Sequence, residues 1–255
     1  MVIEREVQAD FSELQLPDVP NLYDILNLSL RHKDVICTFN WDPFLMQSQQ
    51  RLGRLGVTDL PKMFYLHGNV TVGYCLKDSR AGLYGHRCSR CGQNFTASRL
   101  LYPVAHKNYQ DEGFIEQEWK QTETELKKCL MFTVFGYSAP HTDQEAVSLL
   151  NKAWQLNRSV TLIETELIGH ADSDDDKMHE KWKPFIHNHH YDIRRSFYDS
   201  WITKFPRRTI EAFKKQYLEI EYLETNPVPQ NAATLYELVR WFDKLRDHER
   251  IIGNS

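Results

Sequence analysis

No apolar run in the sequence approaches the roughly 20 residues that a membrane-spanning helix needs. The first residues, MVIEREVQADF, lack the basic and then apolar layout of a signal peptide. Neither positive nor negative charge is in large excess, since 31 Lys and Arg residues nearly balance 35 Asp and Glu residues and the net charge is −4. The sequence therefore gives no global attraction to nucleic acid or to anionic membranes. We expect a cytoplasmic protein that does not bind membranes or nucleic acid.

Cysteine and glycine are both scarce. The five cysteines are an odd number, which argues against the disulfide framework of a secreted protein. Cys37 and Cys129 lie inside apolar strand-like runs, and this position is typical of buried free thiols. The other three cysteines fall within 17 residues of one another. Glycine occurs 11 times in 255 residues, and the 34 residues that precede Val35 contain none.

Strand-like and helix-like segments alternate along the first two thirds of the chain. The strand-like runs are apolar on both faces, which is typical of a parallel sheet covered by helices. The strand-like runs are 35–39, 62–72, 130–135 and 159–166. The amphipathic helical segments are 21–32, 111–130 and 142–157, the last predicted to open on a capping box of Thr142 and Glu145.

The residue composition changes at two places along the chain. Residues 73–98 are polar and glycine-containing, and they interrupt the alternation as an insertion. After residue 170 the sequence becomes aromatic-rich and largely helical. We therefore expect one α/β domain over about 1–170 with an insertion at about 73–98, and a mainly helical region over 171–255 that packs on it or extends it.

The insertion contains the pattern of a structural metal site. Cys88 and Cys91 form a Cys-x2-Cys turn beside glycine, which directs two thiolates at one ion. Structural zinc takes four Cys or His ligands, and Cys75 and His86 complete such a set. Asp78 is a weaker fourth candidate, because Cys75-x2-Asp78 resembles a second turn. A polar loop has little core of its own, which favours zinc over three unrelated thiols.

Three of the strand-like runs end in polar side chains. The run "TFNWDPFL" ends on Asn40 and Asp42, "YLHGN" ends on His67, and "FGYSAPHTD" carries Gly136 and Ser138. Loops at the carboxyl ends of parallel strands are where open α/β sheets bind ligands. An imidazole there can accept and return a proton near neutral pH, although a lone histidine is more often a structural residue.

Taken in this order, "TFNWDPFL", "LHGN", the Cys-x2-Cys insertion, "FGYSAPHTD" and "TLIETE" resemble the SIR2-like (sirtuin-like) NAD-dependent family, in particular its bacterial branch. The resemblance covers about residues 20–170. It implies a Rossmann-like parallel sheet with helices on both faces and a small zinc-ribbon-like insertion, with structural Zn²⁺ and with NAD⁺ as substrate or ligand.

The resemblance also implies residue roles. Asn40 and Asp42 would contact the nicotinamide end of NAD, and His67 would be the general base near the ribose hydroxyls. Gly136 and Ser138 would line the adenosine side, and Glu164 would lie at a strand end near the adenine ribose. The full set of implied cofactor-binding residues is Thr38, Phe39, Asn40, Trp41, Asp42, Gly136, Tyr137, Ser138 and Glu164.

One part of the family pattern is missing, namely the first strand with its Gly-Ala-Gly-x-Ser loop, which cradles the pyrophosphate. A segment without glycine cannot make that tight turn. Three explanations stay open: an upstream segment supplies the strand, a partner chain supplies it, or the protein is a degenerate member in which "MVIEREV" takes its place. The missing strand would be central, so its loss would leave a gap in the sheet formed by the given residues.

The resemblance favours an NAD glycohydrolase that cleaves the nicotinamide–ribose bond with Asn40, Asp42 and His67, in the manner of SIR2-like proteins of bacterial anti-phage defence. The alternative is a catalytically degenerate module that binds NAD or ADP-ribose or mediates assembly. An NAD-dependent protein deacylase is less favoured, because no peptide-binding strand is identifiable. Oligomerisation stays open.

Overall fold

The computed structural model describes residues 2–102, 113–157, 163–170, 172–187 and 190–253. Within these ranges the chain contains nine α-helices and eight β-strands. The helices are α1 (Val2–Ser12), α2 (Leu22–Ser29), α3 (Phe44–Arg54), α4 (Gly113–Leu126), α5 (Gln144–Gln155), α6 (Asp175–Trp182), α7 (Trp201–Lys204), α8 (Thr209–Lys214) and α9 (Leu235–Gly253). The strands are β1 (Val35–Thr38), β2 (Lys62–Tyr65), β3 (Val72–Cys75), β4 (Arg80–Leu83), β5 (Thr96–Ala97), β6 (Met131–Phe135), β7 (Glu164–Ile168) and β8 (Tyr191–Arg194).

The parallel strands confirm the α/β class, but they form two sheets. β1 pairs with β2, from Val35 opposite Lys62 to Thr38 opposite Tyr65. β6, β7 and β8 form a second parallel sheet in that order. Helices connect the parallel strands, as parallel pairing requires. Within the described ranges no strand pairs with both β1 and β6, so the parallel strands do not form one continuous sheet there.

The insertion is a small antiparallel sheet in the order β4–β3–β5. Its side chains leave little space around two glycines. A Cβ at Gly73 would lie 2.5 Å from the Phe95 side chain, and one at Gly82 would lie 2.3 Å from the same ring. Phe95 thus packs directly on the backbone of β3 and β4, which gives this small sheet a minimal core of its own.

Two apolar clusters hold the larger layer together. The first lies between β2, α4, α5 and β7, with fully buried members that include Leu66, Ile115, Trp154 and Leu167. The second joins α2 to the distant helix α9 through Leu28, Leu238 and Phe242, among others. The region after residue 170, expected to be mainly helical, also contributes β8 to the second sheet. It is therefore built into the α/β layer.

Several local predictions need correction. The capping box expected at Thr142 is wrong: a 3₁₀ turn, His141–Asp143, precedes α5, and the Asp143 side chain does not cap the helix because it bonds elsewhere. The first residues do not replace a strand, since Val2–Ser12 is helical. The predicted strand 159–166 begins partly outside the described residues, and the observed strand is Glu164–Ile168.

Candidate functional site

The loop after β1 carries Asn40 and Asp42, two of the predicted site residues. The Thr38 hydroxyl accepts a hydrogen bond from the Asn40 amide at 3.0 Å. The Asp42 carboxylate accepts one from the Phe44 amide at 3.1 Å, which explains why the chain turns into α3 at this point. Burial is the main cause that raises the pKa of Asp42 above its usual value, and bonds to Phe44 and Asn40 oppose it. Asn40 itself is exposed.

Asn69, which was not among the predicted site residues, connects the loop after β1 to the turn after β2. Its side-chain amide donates to the carbonyl oxygens of Asn40 at 3.3 Å and of Asp42 at 2.7 Å. Its own carbonyl oxygen accepts from the Thr71 amide and hydroxyl. Asn69 is 1% exposed, so these bonds replace water entirely. The only signal in the sequence was its position directly after His67-Gly68.

His67 lies at the centre of the site and is buried. The edge of its ring meets Phe39 with ring centroids 4.7 Å apart, and Phe39 stacks on Tyr137 at 4.2 Å. Nε2 of His67 lies 4.0 Å from Oδ1 of Asp143, and the Tyr137 hydroxyl donates to Oδ2 of the same carboxylate at 3.1 Å. The structure thus brings together residues from the carboxyl ends of β1, β2 and β6.

Helix α4 fixes the end of β2, and through it His67. Glu118 accepts a hydrogen bond from the Tyr65 amide at 2.8 Å, and the Trp119 indole donates to the Leu66 carbonyl at 3.1 Å. Burial raises the pKa of Glu118 to about 7. Gly68 has a φ of +77°, and a Cβ there would lie 1.8 Å from the Arg99 carbonyl oxygen, so the turn after His67 has no room for a side chain.

The turn after β6 reaches the same end of the layer. Gly136 has a φ of +66° and Ala139 a φ of +44°, so the backbone turns sharply through Tyr137 and Ser138 before Pro140. Gly136 and Ser138 are exposed beside the buried His67–Asp143 pair. The Trp41 ring, in the loop after β1, lies edge-on to Tyr102 at 5.0 Å.

Glu164 does not join this group. It is the first residue of β7 and pairs with Met131, the first residue of β6. It therefore lies at the amino end of the sheet, so its predicted place at the ligand-binding strand end is wrong. There Glu164 lies among Glu166, Asp192 and Arg194, and burial followed by the charges of Asp192 and Glu166 raises the pKa of Glu164 to about 8.

The insertion gathers a second group of side chains. Ligand atoms of Cys75, Asp78, Cys88 and Cys91 all lie within 4.8 Å of one another. Sγ of Cys75 lies 3.5 Å from Sγ of Cys91, and Oδ2 of Asp78 lies 3.3 Å from Sγ of Cys88. A backbone turn shapes the Cys88–Cys91 pair, since the Cys88 amide donates to the Gln93 carbonyl and the Gly92 amide donates back to Cys88.

These distances fit a tetrahedral ion. Bonds of about 2.3 Å from zinc to sulfur place neighbouring sulfur atoms roughly 3.8 Å apart. Three thiolates and one carboxylate would close the coordination shell, which is typical of a structural site. The expected fourth ligand, His86, is not in the group and is exposed. Asp78, the weaker candidate, takes that place.

Comparisons with known proteins gave structural matches alone. No family model matches the sequence, and no curated protein matches it. A Sir2 homologue solved with NAD aligns at 13% identity and a TM-score of 0.39, over 78% of this chain and 66% of that one. Sir2 in complex with an inhibitor, 2′-O-acetyl-ADP-ribose and a deacetylated peptide aligns at 13% identity and a TM-score of 0.38, over 84% and 79%. A mutant Sir2 homologue with ADP-ribose gives 14% identity and 0.39, over 80% and 70%.

Proposed function

We propose that this chain is a SIR2-like module that binds NAD and cleaves its nicotinamide–ribose bond. The observation that supports this most directly is the convergence of His67, Asn40 and Asp42 with the Gly136–Ser138 turn at the carboxyl ends of three parallel strands. That end of an open α/β layer is where ligands bind. A glycosidic cleavage needs a base and oriented polar groups around an oxocarbenium-like sugar, and these residue types are present.

In this proposal His67 is the general base. The bond between the nicotinamide nitrogen and the anomeric carbon breaks, and its electron pair leaves with nicotinamide. A water oxygen adds to the anomeric carbon, and His67 takes the proton from that water or from a ribose hydroxyl. Asp143, 4.0 Å away, would stabilise the protonated imidazole by its charge, while the Tyr137 hydroxyl holds the Asp143 carboxylate. Asn40 and Asp42 would contact the nicotinamide end.

The remaining implied ligand contacts follow from the same placement. Thr38, Phe39 and Trp41 belong to the loop after β1, and Tyr137 belongs to the turn after β6. Zinc, held by Cys75, Asp78, Cys88 and Cys91, would stabilise the insertion over about 73–98 and would supply no step of the reaction. The proposed division is one domain over 1–170 with that insertion, followed by 171–255, which extends the domain through β8.

The test is NAD consumption by the purified chain, followed through released nicotinamide and ADP-ribose. We expect His67→Ala to abolish turnover and Asn40→Ala to lower it at least about 100-fold. The matched control is His86→Ala, which removes an exposed histidine outside both the site and the metal group. Turnover that survives in His67→Ala would refute the assigned base.

A second candidate function is binding without turnover. One observation favours it: His67 is only 6% exposed and lies under the Phe39–Tyr137 stack, so the base is covered. Calorimetric titration with NAD and ADP-ribose separates the two functions. Binding of both ligands with no nicotinamide release would establish the binding module. A deacylase would instead release nicotinamide only when an acylated lysine peptide is added.

A further inference from the structure

One face of the parallel sheet β6–β7–β8 is acidic. Residues two apart on a strand point to the same face, so Glu164 and Glu166 of β7 share a face with Asp192 of β8, which lies opposite Glu166. Thr133 of β6 lies opposite Glu166 on the other side, and its hydroxyl donates to Glu166 at 3.2 Å. We call Glu164, Glu166 and Asp192 the acidic face. Since Glu164 is the first residue of β7, this face begins at the amino end of the sheet, opposite to the proposed nucleotide site.

An aromatic group from the C-terminal region covers the acidic face. The Trp201 amide donates to Glu166 at 2.7 Å, and its indole donates to Asp192 at 2.8 Å. Phe213 and Tyr217 pack on the Trp201 ring, with centroids 6.0 and 6.1 Å from it. Trp201 and Phe213 are buried, whereas Tyr217 is 53% exposed, so Tyr217 forms the rim of this cover towards solvent.

Glu164 is the member of the acidic face that lacks a hydrogen-bond donor among the described residues. Its side chain is 6% exposed, and the nearest basic atom, Nδ1 of His190, lies 4.0 Å away, beyond hydrogen-bond reach. Arg194 donates to Oδ2 of Asp192 at 2.6 Å and forms no ion pair with Glu164. A buried carboxyl group in this position either keeps a proton or takes up a cation.

The spacing of these groups favours an organic cation over a metal ion. A metal that binds oxygen at about 2.0–2.5 Å holds its ligand atoms within about 5 Å of one another. Among the described residues, only the cysteine group of the insertion brings three or more ligand atoms within 4.8 Å. An ammonium nitrogen donates to carboxylates at about 2.8 Å, so its acceptors lie up to about 5.6 Å apart. Its charge is also attracted to an aromatic ring, such as that of Tyr217.

We propose that the acidic face binds a primary ammonium group, which donates to Glu164 and to Oδ1 of Asp192 beside Tyr217. Oδ2 of Asp192 accepts the bonds from Arg194 and Trp201, so Oδ1 is the oxygen left for a ligand. The alkyl chain of the ligand leaves the site past the exposed side of Tyr217. A free alkylamine and a lysine side chain present this same group. The inference does not rest on NAD binding or turnover, and none of its tests uses either.

The pKa of Glu164 couples this binding to proton release. Burial, followed by the charges of Asp192 and Glu166, raises that pKa to about 8, so below pH 8 the ammonium displaces a proton. We expect the affinity to rise up to about tenfold per pH unit from pH 6 to 8, and to fall above about pH 10.4, where the amine loses its charge. The titratable and charged groups that face Glu164 are Glu166, Asp192, His190, Arg194 and Tyr217.

Titration calorimetry at pH 8 tests the ligand chemistry on the purified chain. The probes are n-pentylamine and the lysine derivative Nα-acetyl-lysine N-methylamide, and we expect at least one to bind saturably with a Kd of about 1 mM or lower. The tighter of the two identifies the source of the amine. Pentyltrimethylammonium has the same charge and chain but no N–H donor, and should bind at least about tenfold more weakly. If it binds as well as pentylamine, or if neither amine binds, the proposal is refuted.

A variant tests the assigned carboxylate. Glu164→Gln keeps the size of the side chain and removes its charge, so we expect amine binding at least about tenfold weaker than in the parent, without the rise from pH 6 to 8. Glu180→Gln, at an exposed position, is the matched control and should bind as the parent does. Thermal melts establish that both variants are folded. Undiminished amine binding by folded Glu164→Gln would overturn the proposal, as would Ca²⁺ binding to the parent that Glu164→Gln loses.

Discussion

Nε2 of His67 and Oδ1 of Asp143 lie 4.0 Å apart, and both side chains are almost fully buried. A buried carboxylate at this distance is beyond hydrogen-bond reach of the ring, but its charge stabilises an imidazole that gains a proton during the reaction. The pair joins the turn after β2 to the turn after β6, and the Tyr137 hydroxyl fixes the carboxylate from the other side. The position of Asp143 therefore gives the proposed base a partner that the sequence did not predict.

Replacement of Asp143 by Asn should lower the kcat of NAD cleavage by about 100-fold or more, with a smaller change in KM. Asn keeps the size of the side chain and removes the charge that stabilises the imidazolium. The matched control is Asp172→Asn, at an exposed position far along the chain, which should leave kcat unchanged. Steady-state kinetics with purified variants decide this, and an unchanged kcat in Asp143→Asn would exclude this role of the charge.

The metal group of Cys75, Asp78, Cys88 and Cys91 predicts which substitutions lose bound zinc and which retain it. The purified chain should hold about one zinc ion, measured by mass spectrometry, since three thiolates and a carboxylate fill a tetrahedral shell. Cys88→Ser and Asp78→Asn should each lose most of the metal or bind it much more weakly. His86→Ala should retain it, because that side chain lies outside the group. Loss of zinc in His86→Ala with retention in Asp78→Asn would reverse the assignment.

The raised pKa of Glu164 predicts that the free energy of unfolding decreases as pH rises. Its pKa, raised to about 8 by burial and by the Asp192 and Glu166 charges, exceeds the ordinary value of 4.5. The folded chain thus keeps a proton that the unfolded chain releases, so this contribution is complete below about pH 4.5 and is lost as pH rises through about 8. His190 and Arg194 face the same carboxyl group.

Glu164→Gln should flatten that decline, because the amide is neutral at every pH. We expect the variant to gain roughly 1–3 kcal/mol of unfolding free energy relative to the parent between pH 5 and 8.5, measured by urea unfolding. Glu180→Gln, at an exposed position, is the control and should follow the parent curve. Parallel curves for Glu164→Gln and the parent would show that Glu164 is ionised in the folded chain.

Alanine substitutions at Gly68 and Gly85 distinguish the cost of a left-handed backbone from the cost of steric overlap. Both have positive φ, +77° and +84°, but a Cβ at Gly68 would lie 1.8 Å from the Arg99 carbonyl oxygen, whereas one at Gly85 would meet nothing within 4 Å. Both alanine variants should lose about 1 kcal/mol to the left-handed conformation. Gly68→Ala should lose at least about 2 kcal/mol more, since overlap with backbone cannot be relieved by a rotamer change. Equal losses in urea unfolding would show that the turn after His67 can move.

The sequence predicted what depends on local pattern. Strands β1 and β6, helix α5 and the metal-binding turn follow from periodicity and spacing, and all are present. Cys37 is a free thiol as predicted, and burial raises its pKa to about 12, although part of its surface is accessible to solvent. The exchange of His86 for Asp78 depends on which side chain the loop turns inward, which spacing alone does not determine.

The predicted position of Glu164 was wrong for a related reason, because the polarity of a residue does not indicate at which end of a strand it lies. The start of that strand fell in a run of β-branched residues, and its true first residue could not be located by pattern. Asn69 and Asp143 were missed because each acts by a contact between segments that are 27 or more residues apart in the sequence.

Asn69 fixes the loops after β1 and β2 to each other, because its side-chain amide in one loop donates hydrogen bonds to two carbonyl oxygens of the other. Across to β6, the contacts at this end include the Phe39–Tyr137 stack and the His67–Asp143 pair. A nucleotide at the carboxyl ends would contact the turns on both sides of this junction, so it would stabilise the separation of the two sheets at which it binds best.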